Sequence, residues 1–519
     1  MNVAGLLARA AIQHDRDEAI RFGHDTATYG ELYARAARLA AGLRDLGLRE
    51  GDRVALLQAN GPDLVESIFG AWIAGLTITP INSRTHVREA AYIIENCEAR
   101  AVIYGAEYER GLVGALSGNL DLRLICLGRD GEKTSYEELI EGATALDAPA
   151  ERRPEDTAWL FYTSGTTGRP KGAMLSHRNL RQMVLSHLAD VRSFAVGETV
   201  LHAAPLTHGS GLVLLACVAR GARNVIYPGA SFDGAEVLEL IRREGATSVA
   251  FVAPTQIVVL NRAAAGGDGR PLPLESVCYG GGPMFTEDLR QAIELFGPVF
   301  VQIYGQGEAP MTISVLAASD HARFVEASDR RLGSAGVPRT DVEIKVIDEE
   351  GQTVGPEETG EVAIRGDVVM LGYWDDPEAT AGALLDGWLR TGDIGMVDRT
   401  GYLHLLDRSK DMIISGGNNI YPREVEEAIL ELPEVRAVAV IGLPDEFWGE
   451  RVHALVVLNE GHSLEEEDVI AHCRDVLSGY KKPKAVEFLP ELPTNAYGKV
   501  LKRELRQTRM TDLPQRLTP

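Results

Sequence analysis

From residue 28 to residue 150 the sequence alternates amphipathic helical stretches, at 31–46 and 62–75, with short apolar runs, Val54-Ala-Leu-Leu and Ala101-Val-Ile-Tyr. Helical spacing of apolar residues, interrupted by brief apolar runs and then resumed, is the pattern of strands in one layer with helices packed on its faces. The pattern returns between Thr199 and Val301, with helices near 235–244 and 286–296 and strands near 248–252 and 299–303. We therefore expect an α/β chain with two αβ layers of similar build. From 342 to 364 short strands separated by turn signals (Asp348-Glu-Glu-Gly, Val354-Gly-Pro) predict a small β subdomain. After Leu406-Asp-Arg-Ser-Lys-Asp the sequence starts again, with a helix at 422–432 and strands near 438–441 and 454–458, so a small α+β C-terminal domain is expected. The expected boundaries are 1–407 and 408–519, and the tail after Arg506 is expected to fray.

At 519 residues the chain exceeds several times the domain prior of about 150 residues, which excludes a single small binding module. Its apolar stretches are broken well short of a membrane span. The first residues lack a basic segment followed by an apolar run, so a cytoplasmic location is expected. Five cysteines without CxxC spacing suggest neither a zinc site nor a disulfide framework, and read as buried reduced thiols. A net charge of −23 repels nucleic acid and anionic membranes, so anionic ligands must be held by local positive groups.

One such place is conspicuous. The apolar run Ala158-Trp-Leu-Phe-Tyr leads straight into Thr163-Ser164-Gly165-Thr166-Thr167-Gly168-Arg-Pro-Lys171-Gly172. Glycines let the backbone turn its N–H groups toward a polyphosphate, hydroxyls add side-chain donors, and Lys171 adds a charge. The spacing is not that of the GxxxxGK[ST] loop. It resembles the signature of the adenylate-forming superfamily, which includes acyl- and aryl-CoA synthetases, peptide-synthetase adenylation domains and beetle luciferases. Matching motifs follow in the expected order from about Thr28 to Leu505.

The resemblance implies roles for further residues. Tyr304-Gly305-Gln306-Gly307-Glu308 resembles the family's YGxTE segment, in which the tyrosine packs on adenine and the glutamate holds Mg²⁺, here with Thr163; Gly307 stands where the family generally has a phosphate-bonding threonine. Tyr279-Gly280-Gly281-Gly282-Pro283 is similar to the loop along the adenine ring. Asp393 and Arg408 match the ribose-binding pair. Lys499, in Asn495-Ala-Tyr-Gly-Lys, matches the lysine that stabilises the adenylation transition state. Lys410 occupies the hinge position, with the swing near 409–411, making the C-terminal domain mobile. Gly416 and Gly417 would then border the pantetheine tunnel, and Lys481 and Lys482 would meet the phosphates of CoA.

The implied activity is that of an AMP-forming acid–CoA ligase using ATP, Mg²⁺ and coenzyme A. Pro205-Leu-Thr-His208-Gly209-Ser210-Gly resembles the segment bordering the acyl pocket, with His208 as a gate over the carboxylate; the alternative reading of His208 is a cap on the following helix. Val252 and Gly280 are expected at the same wall. No acidic residue in 201–216 meets an amino-acid ammonium, and the pocket segments 249–253 and 280–282 hold no Lys or Arg to fix a second carboxylate. An apolar monocarboxylate follows, either a medium- or long-chain fatty acid or an aryl or alicyclic one. Two other readings stay open: an enzyme loading a separate carrier protein, and a nucleotide-binding regulator that has lost catalysis. The expected partners are the small molecules, with neither nucleic acid nor integral membrane association; a homodimer is left open.

Overall fold

The computed structural model describes residues 1–519 except 117–120, 129–133, 164–168, 268, 409–410, 416–417, 446, 495–499 and 512–519. The chain packs into two compact units. The first comprises 1–283, 290–344 and 364–389, and the second 284–289, 345–363 and 390–519. The expected division at 407/408 therefore differs from the packing, because parts of the small β sheet group with the C-terminal segment.

Two sheets build the first unit. The seven-stranded sheet runs, in spatial order, Thr134–Ser135, Arg123–Leu127, Ala99–Gly105, Arg53–Leu57, Thr77–Ile81, Thr157–Thr163 and Lys171–Ser176. The nine-stranded sheet runs Val337–Pro338, Ala309–Leu316, Phe300–Gln306, Ser276–Gly280, Ser248–Val252, Thr199–His202, Arg223–Ile226, Glu18–Phe22 and Asp25–Thr28. These are the two expected αβ layers. Parallel strands are covered on both faces, and Thr77–Ile81 accordingly is buried at every position.

Local chemistry sets the helix limits. Thr28 and Glu31 form a capping box at the start of Tyr29–Asp45, and Pro62 opens Pro62–Ile73. The latter stops two residues before the expected end because Gly75 adopts a φ of 82°. Its Glu66 is buried, and two donors satisfy it, the Arg35 guanidinium at 2.6 Å and the Tyr136 hydroxyl at 3.1 Å. Trp72 on the same helix donates its indole N–H to the Ala158 carbonyl at 2.8 Å and so fixes the strand that leads into the phosphate loop.

The helix His177–Asp190 follows directly on Lys171–Ser176. Its capping box joins Ser176 to Asn179, and the Asn179 amide also donates to the carbonyls of Asp367 (2.7 Å) and Val369 (2.9 Å). One buried amide thus ties a distant segment, 367–369, to the strand that carries Lys171.

In the second unit a sheet ordered Asn418–Ile420, Ile413–Ser415, Gly449–Leu458 and Val435–Asp445, with Ala485–Phe488 beside Gly449–Leu458, packs against Pro422–Leu430 and Glu466–Val476. Ile413, Val425, Ile429, Val440, Val456 and Val469 form its core. Lys502 is largely buried, 2.8 Å from Glu426 and 3.8 Å from Asp407. Burial opposes its charge, but Glu426 and Asp407 outweigh that and raise its pKa. The small β sheet comprises Glu343–Ile347, Gly360–Arg365, Trp388–Val397, Leu384–Leu385 and Leu403–Arg408.

All five cysteines are buried, and none is joined in a disulfide. Among the described residues no helix is long and apolar enough to cross a membrane. Replacing Asn179 by leucine leaves the Asp367 and Val369 carbonyls without their donor; we expect a loss of about 2–4 kcal/mol in unfolding free energy, read by urea denaturation.

Candidate functional site

The first unit gathers two hairpin ends. In one, Thr163 and Lys171 are directly opposed partners of antiparallel strands. Residues 164–168, with the expected donors Ser164, Gly165, Thr166, Thr167 and Gly168, lie outside the described residues. In the other hairpin Gln306 faces Ala309, leaving Gly307 and Glu308 as a two-residue turn. Tyr304, Gly305 and Gln306 are thus the end of a strand rather than a loop after it, and Tyr304 is buried.

Glu308 meets the first hairpin directly. Its Oε1 accepts the Tyr373 hydroxyl at 2.6 Å and the Thr163 hydroxyl at 3.4 Å; among the described residues Oε2 accepts nothing. Lys171 lies 3.3 Å from the Asp376 carboxylate, with its Nζ 5.4 Å from the Tyr373 ring centroid. A Cβ built on Gly307 would fall 2.3 Å from the Thr163 methyl and 2.8 Å from the Phe161 ring. The departure from the family pattern at Gly307 therefore has a steric reason: Thr163 and Phe161 occupy the room a side chain would need.

A carboxylate oxygen beside a threonine hydroxyl is a hard donor set that fits Mg²⁺ shared with phosphates. Among the described residues no cluster of three His, Cys, Asp or Glu forms a self-sufficient metal cage.

An apolar wall adjoins this polar end. Phe161 meets His208 edge-on, with ring centroids 4.9 Å apart. Burial pushes the His208 pKa down to about 4, so the ring is neutral at pH 7. His208 precedes the helix Gly209–Arg220, yet its side chain makes no cap bond, which removes the capping alternative. The Phe251 ring sits between two side-chain-free positions: a Cβ on Gly209 would lie 2.8 Å from it, and one on Gly281 3.6 Å. Gly280 backs onto the Ile303 carbonyl, 2.3 Å from where a Cβ would stand, and Gly281 adopts a φ of 81°, so both require glycine. Gly282 and Pro283 end this stretch of the unit.

Two expected wall residues turn inward instead. The Ser210 hydroxyl is buried against His202 Nδ1 at 3.0 Å, and Asn224 Oδ1 holds the other ring nitrogen at 3.0 Å. Val252 is fully buried, because strand alternation presents its neighbour Phe251 to the wall.

In the second unit Asp393 is buried, and its backbone stands in register with that of Arg408 on the adjacent strand. Lys481 is ion-paired with Glu424 at 2.6 Å. Among the described residues Lys482 has no such bridge, and its pKa is lowered by burial and by Lys484 and Arg474. Lys484 lies 4.7 Å above the Trp448 ring, which packs edge-on against the exposed Phe447. Lys410, Gly416, Gly417 and Lys499 lie outside the described residues.

Phe161, Phe251, Tyr373, Asp376 and the pair of Trp448 with Lys484 are the residues that sequence reasoning missed. Phe161 and Phe251 were within reach, since both lie in strands read as site segments and period-two alternation selects them. Nothing near Tyr373 or Asp376 in sequence points to Glu308 or Lys171.

A family model for AMP-binding enzymes matches residues 7–374, and one for the AMP-binding enzyme C-terminal domain matches 424–499. The chain belongs to the AMP-binding enzymes of the adenylate-forming superfamily, and its activity is that of an adenylate-forming ligase acting on a carboxylic acid. That sets aside the lapsed-regulator reading. It is 39% identical over 497 residues to a feruloyl-CoA synthase of an Amycolatopsis species, covering 94% of this chain and 95% of the other. The structure of ATP-bound MatB from Rhodopseudomonas palustris superposes with a TM-score of 0.88 at 32% identity, covering 98% of this chain and 99% of that one. Amide bond synthetase McbA from Marinactinospora thermotolerans superposes with a TM-score of 0.86 at 31% identity, over 98% and 99% of the two chains.

Burial also holds His187 near a pKa of about 3 and His202 and His321 near about 4, below the ordinary 6.5. The unfolded chain therefore takes up protons that the folded chain refuses, so stability falls as pH drops below about 6.5 and continues to fall toward about 4. Each such histidine contributes a slope of up to about 1.4 kcal/mol per pH unit. Urea midpoints between pH 7.5 and 5 should show this loss, and His187→Gln should flatten it.

Proposed function

We propose that this enzyme is an AMP-forming acid–CoA ligase for an apolar monocarboxylate, with planar aryl acids preferred over flexible fatty ones. The observation that carries the reading is the Phe251 ring held between Gly209 and Gly281, beside a neutral His208 edge-on to Phe161. Such a wall offers flat apolar contact, and the named wall residues carry no fixed charge for a second carboxylate. Resemblance to a feruloyl-CoA synthase over 94% of the chain supports an aryl acid.

In this reading the segment 163–168 and Lys171 take the β- and γ-phosphates of ATP. Tyr304 and the 280–283 loop take adenine, with Gly305, Gln306 and Gly307 lining the nucleotide, and Asp393 with Arg408 takes the ribose. Glu308 with Thr163 would hold Mg²⁺, which neutralises polyphosphate charge as the leaving group departs. The substrate carboxylate attacks the α-phosphorus, the bond to the bridging oxygen breaks, and pyrophosphate leaves with the electron pair. Lys499 lowers the barrier by standing between two anions that must approach. His208 covers the carboxylate end as a neutral gate.

The CoA sulfur then attacks the acyl carbon, and AMP departs as the carbon–oxygen bond breaks. A swing of the C-terminal segment beyond Lys410 would exchange Lys499 for Gly416 and Gly417 at the site. Lys482, together with Lys484 over Trp448, is the cationic and aromatic surface suited to the nucleotide of CoA, whereas Lys481 is already paired.

The test is pyrophosphate release and product mass with Mg-ATP over aryl, alicyclic and fatty acids, each with and without CoA. We expect aryl-CoA to form, with kcat/KM for the best aryl acid above that of any fatty acid. Acyl-AMP that persists despite CoA, and is consumed only by an amine or a carrier protein, overturns the thioester step. Lys499→Ala should depress adenylation about 100-fold or more while thioester formation from supplied acyl-AMP survives. Phe251→Ala should raise KM for the aryl acid about tenfold and leave KM for ATP unchanged.

A further inference from the structure

The segment 370–376 touches both charged poles of the phosphate site. At one end the Met370 N–H donates to the Glu308 carbonyl at 2.8 Å. Along its length Leu371 and Trp374 donate to the carbonyls of Met174 (2.9 Å) and Gly172 (2.8 Å), while the Met174 N–H donates to Gly372 (2.9 Å). The segment therefore pairs with the strand that carries Lys171 through an isolated antiparallel bridge between Ala173 and Tyr373, and its start is pinned to the turn that carries Glu308. Asn179 holds its approach through Asp367 and Val369.

Its side chains repeat this bridging. Tyr373 gives its hydroxyl to Glu308 Oε1 at 2.6 Å and turns its ring toward the Lys171 ammonium, 5.4 Å from the centroid. Asp376 caps the helix Pro377–Ala383 through the Ala379 N–H at 2.8 Å, and its other oxygen meets Lys171 at 3.3 Å. A cation expected to receive phosphate is thus already engaged by a carboxylate, and a carboxylate expected to receive a metal has one oxygen pre-bonded and the other open.

We propose that 370–376 is a positioning strap for the nucleotide. Tyr373 holds Glu308 by Oε1, which leaves Oε2 as the oxygen that would take a bound Mg²⁺, and Asp376 is the resting partner of Lys171 that the polyphosphate must displace. The inference rests on the proposed ATP-dependent reading of this site. Neither residue touches the reacting atoms, so both are positioning residues. Exposures of 23% for Lys171 and 35% for Asp376 leave their pair partly screened by water, so the displacement is a modest cost.

Calorimetric titration of the full-length chain with a non-hydrolysable ATP analogue, with and without Mg²⁺, separates the two roles without requiring turnover. Asp376→Asn keeps a capping side chain and removes only the charge. We expect it to bind the analogue about two- to fivefold more tightly. Tyr373→Phe keeps the ring and removes the hydroxyl, and should weaken binding about tenfold with Mg²⁺ present and little without it. Unchanged or weaker binding by Asp376→Asn, or a loss in Tyr373→Phe that is equal with and without Mg²⁺, overturns the strap. If the pattern appears while no acid supports pyrophosphate release, the strap stands and the ligase reading falls.

Discussion

The turn at Gly307 and Glu308 and the hairpin closed by Thr163 and Lys171 approach each other only because position 307 has no side chain. A single Cβ there would stand 2.3 Å from the Thr163 methyl and force the two ends apart. With the gap closed, Thr163 reaches the Glu308 carboxylate, and Phe161, two residues before Thr163, reaches His208 on the acid side. One missing side chain thus joins the polar and apolar halves of the site. The two ends belong to different sheets, so neither hairpin alone could form it.

Charge in this unit is placed by burial. Net charge over the chain is −23, yet the site concentrates Lys171 near aromatic and hydroxyl groups and keeps His208 neutral. The buried His202 shows the same economy. The Asn224 amide donates to the Ala19 and Ala222 carbonyls, so its oxygen must accept from His202 Nε2, which leaves Nδ1 to accept the Ser210 hydroxyl. The start of the helix Gly209–Arg220, and with it the Gly209 contact to Phe251, is fixed by that chain of bonds.

Much of the fold was legible because it rests on local rules. Alternating apolar runs and amphipathic helices announced both large sheets, and the helices expected at 31–46 and 62–75 stand at Tyr29–Asp45 and Pro62–Ile73. The phosphate-loop lysine and Glu308 were legible because each sits in a motif whose order carries its chemistry. What escaped depended on tertiary packing. Tyr373 lies 65 positions from Glu308 and is brought to it by a segment stitched across another strand. Val252 and Ser210 were placed at the wall by segment rather than by face, and one step along a strand exchanges Val252 for Phe251. The burial of Lys502 is of the same kind, since its partners Glu426 and Asp407 come from distant stretches.

The central claim is that a planar acid lies against Phe251 while its nucleotide rests between Lys171 and Glu308. The most direct measurement is a crystal structure with a non-hydrolysable aroyl-adenylate analogue. The account predicts the aroyl ring against Phe251, bordered by Gly209, Gly281 and His208, with the phosphate mimic beside Thr163. An aroyl group lodged away from Phe251, or a nucleotide whose phosphate end lies far from Thr163 and Lys171, would contradict it.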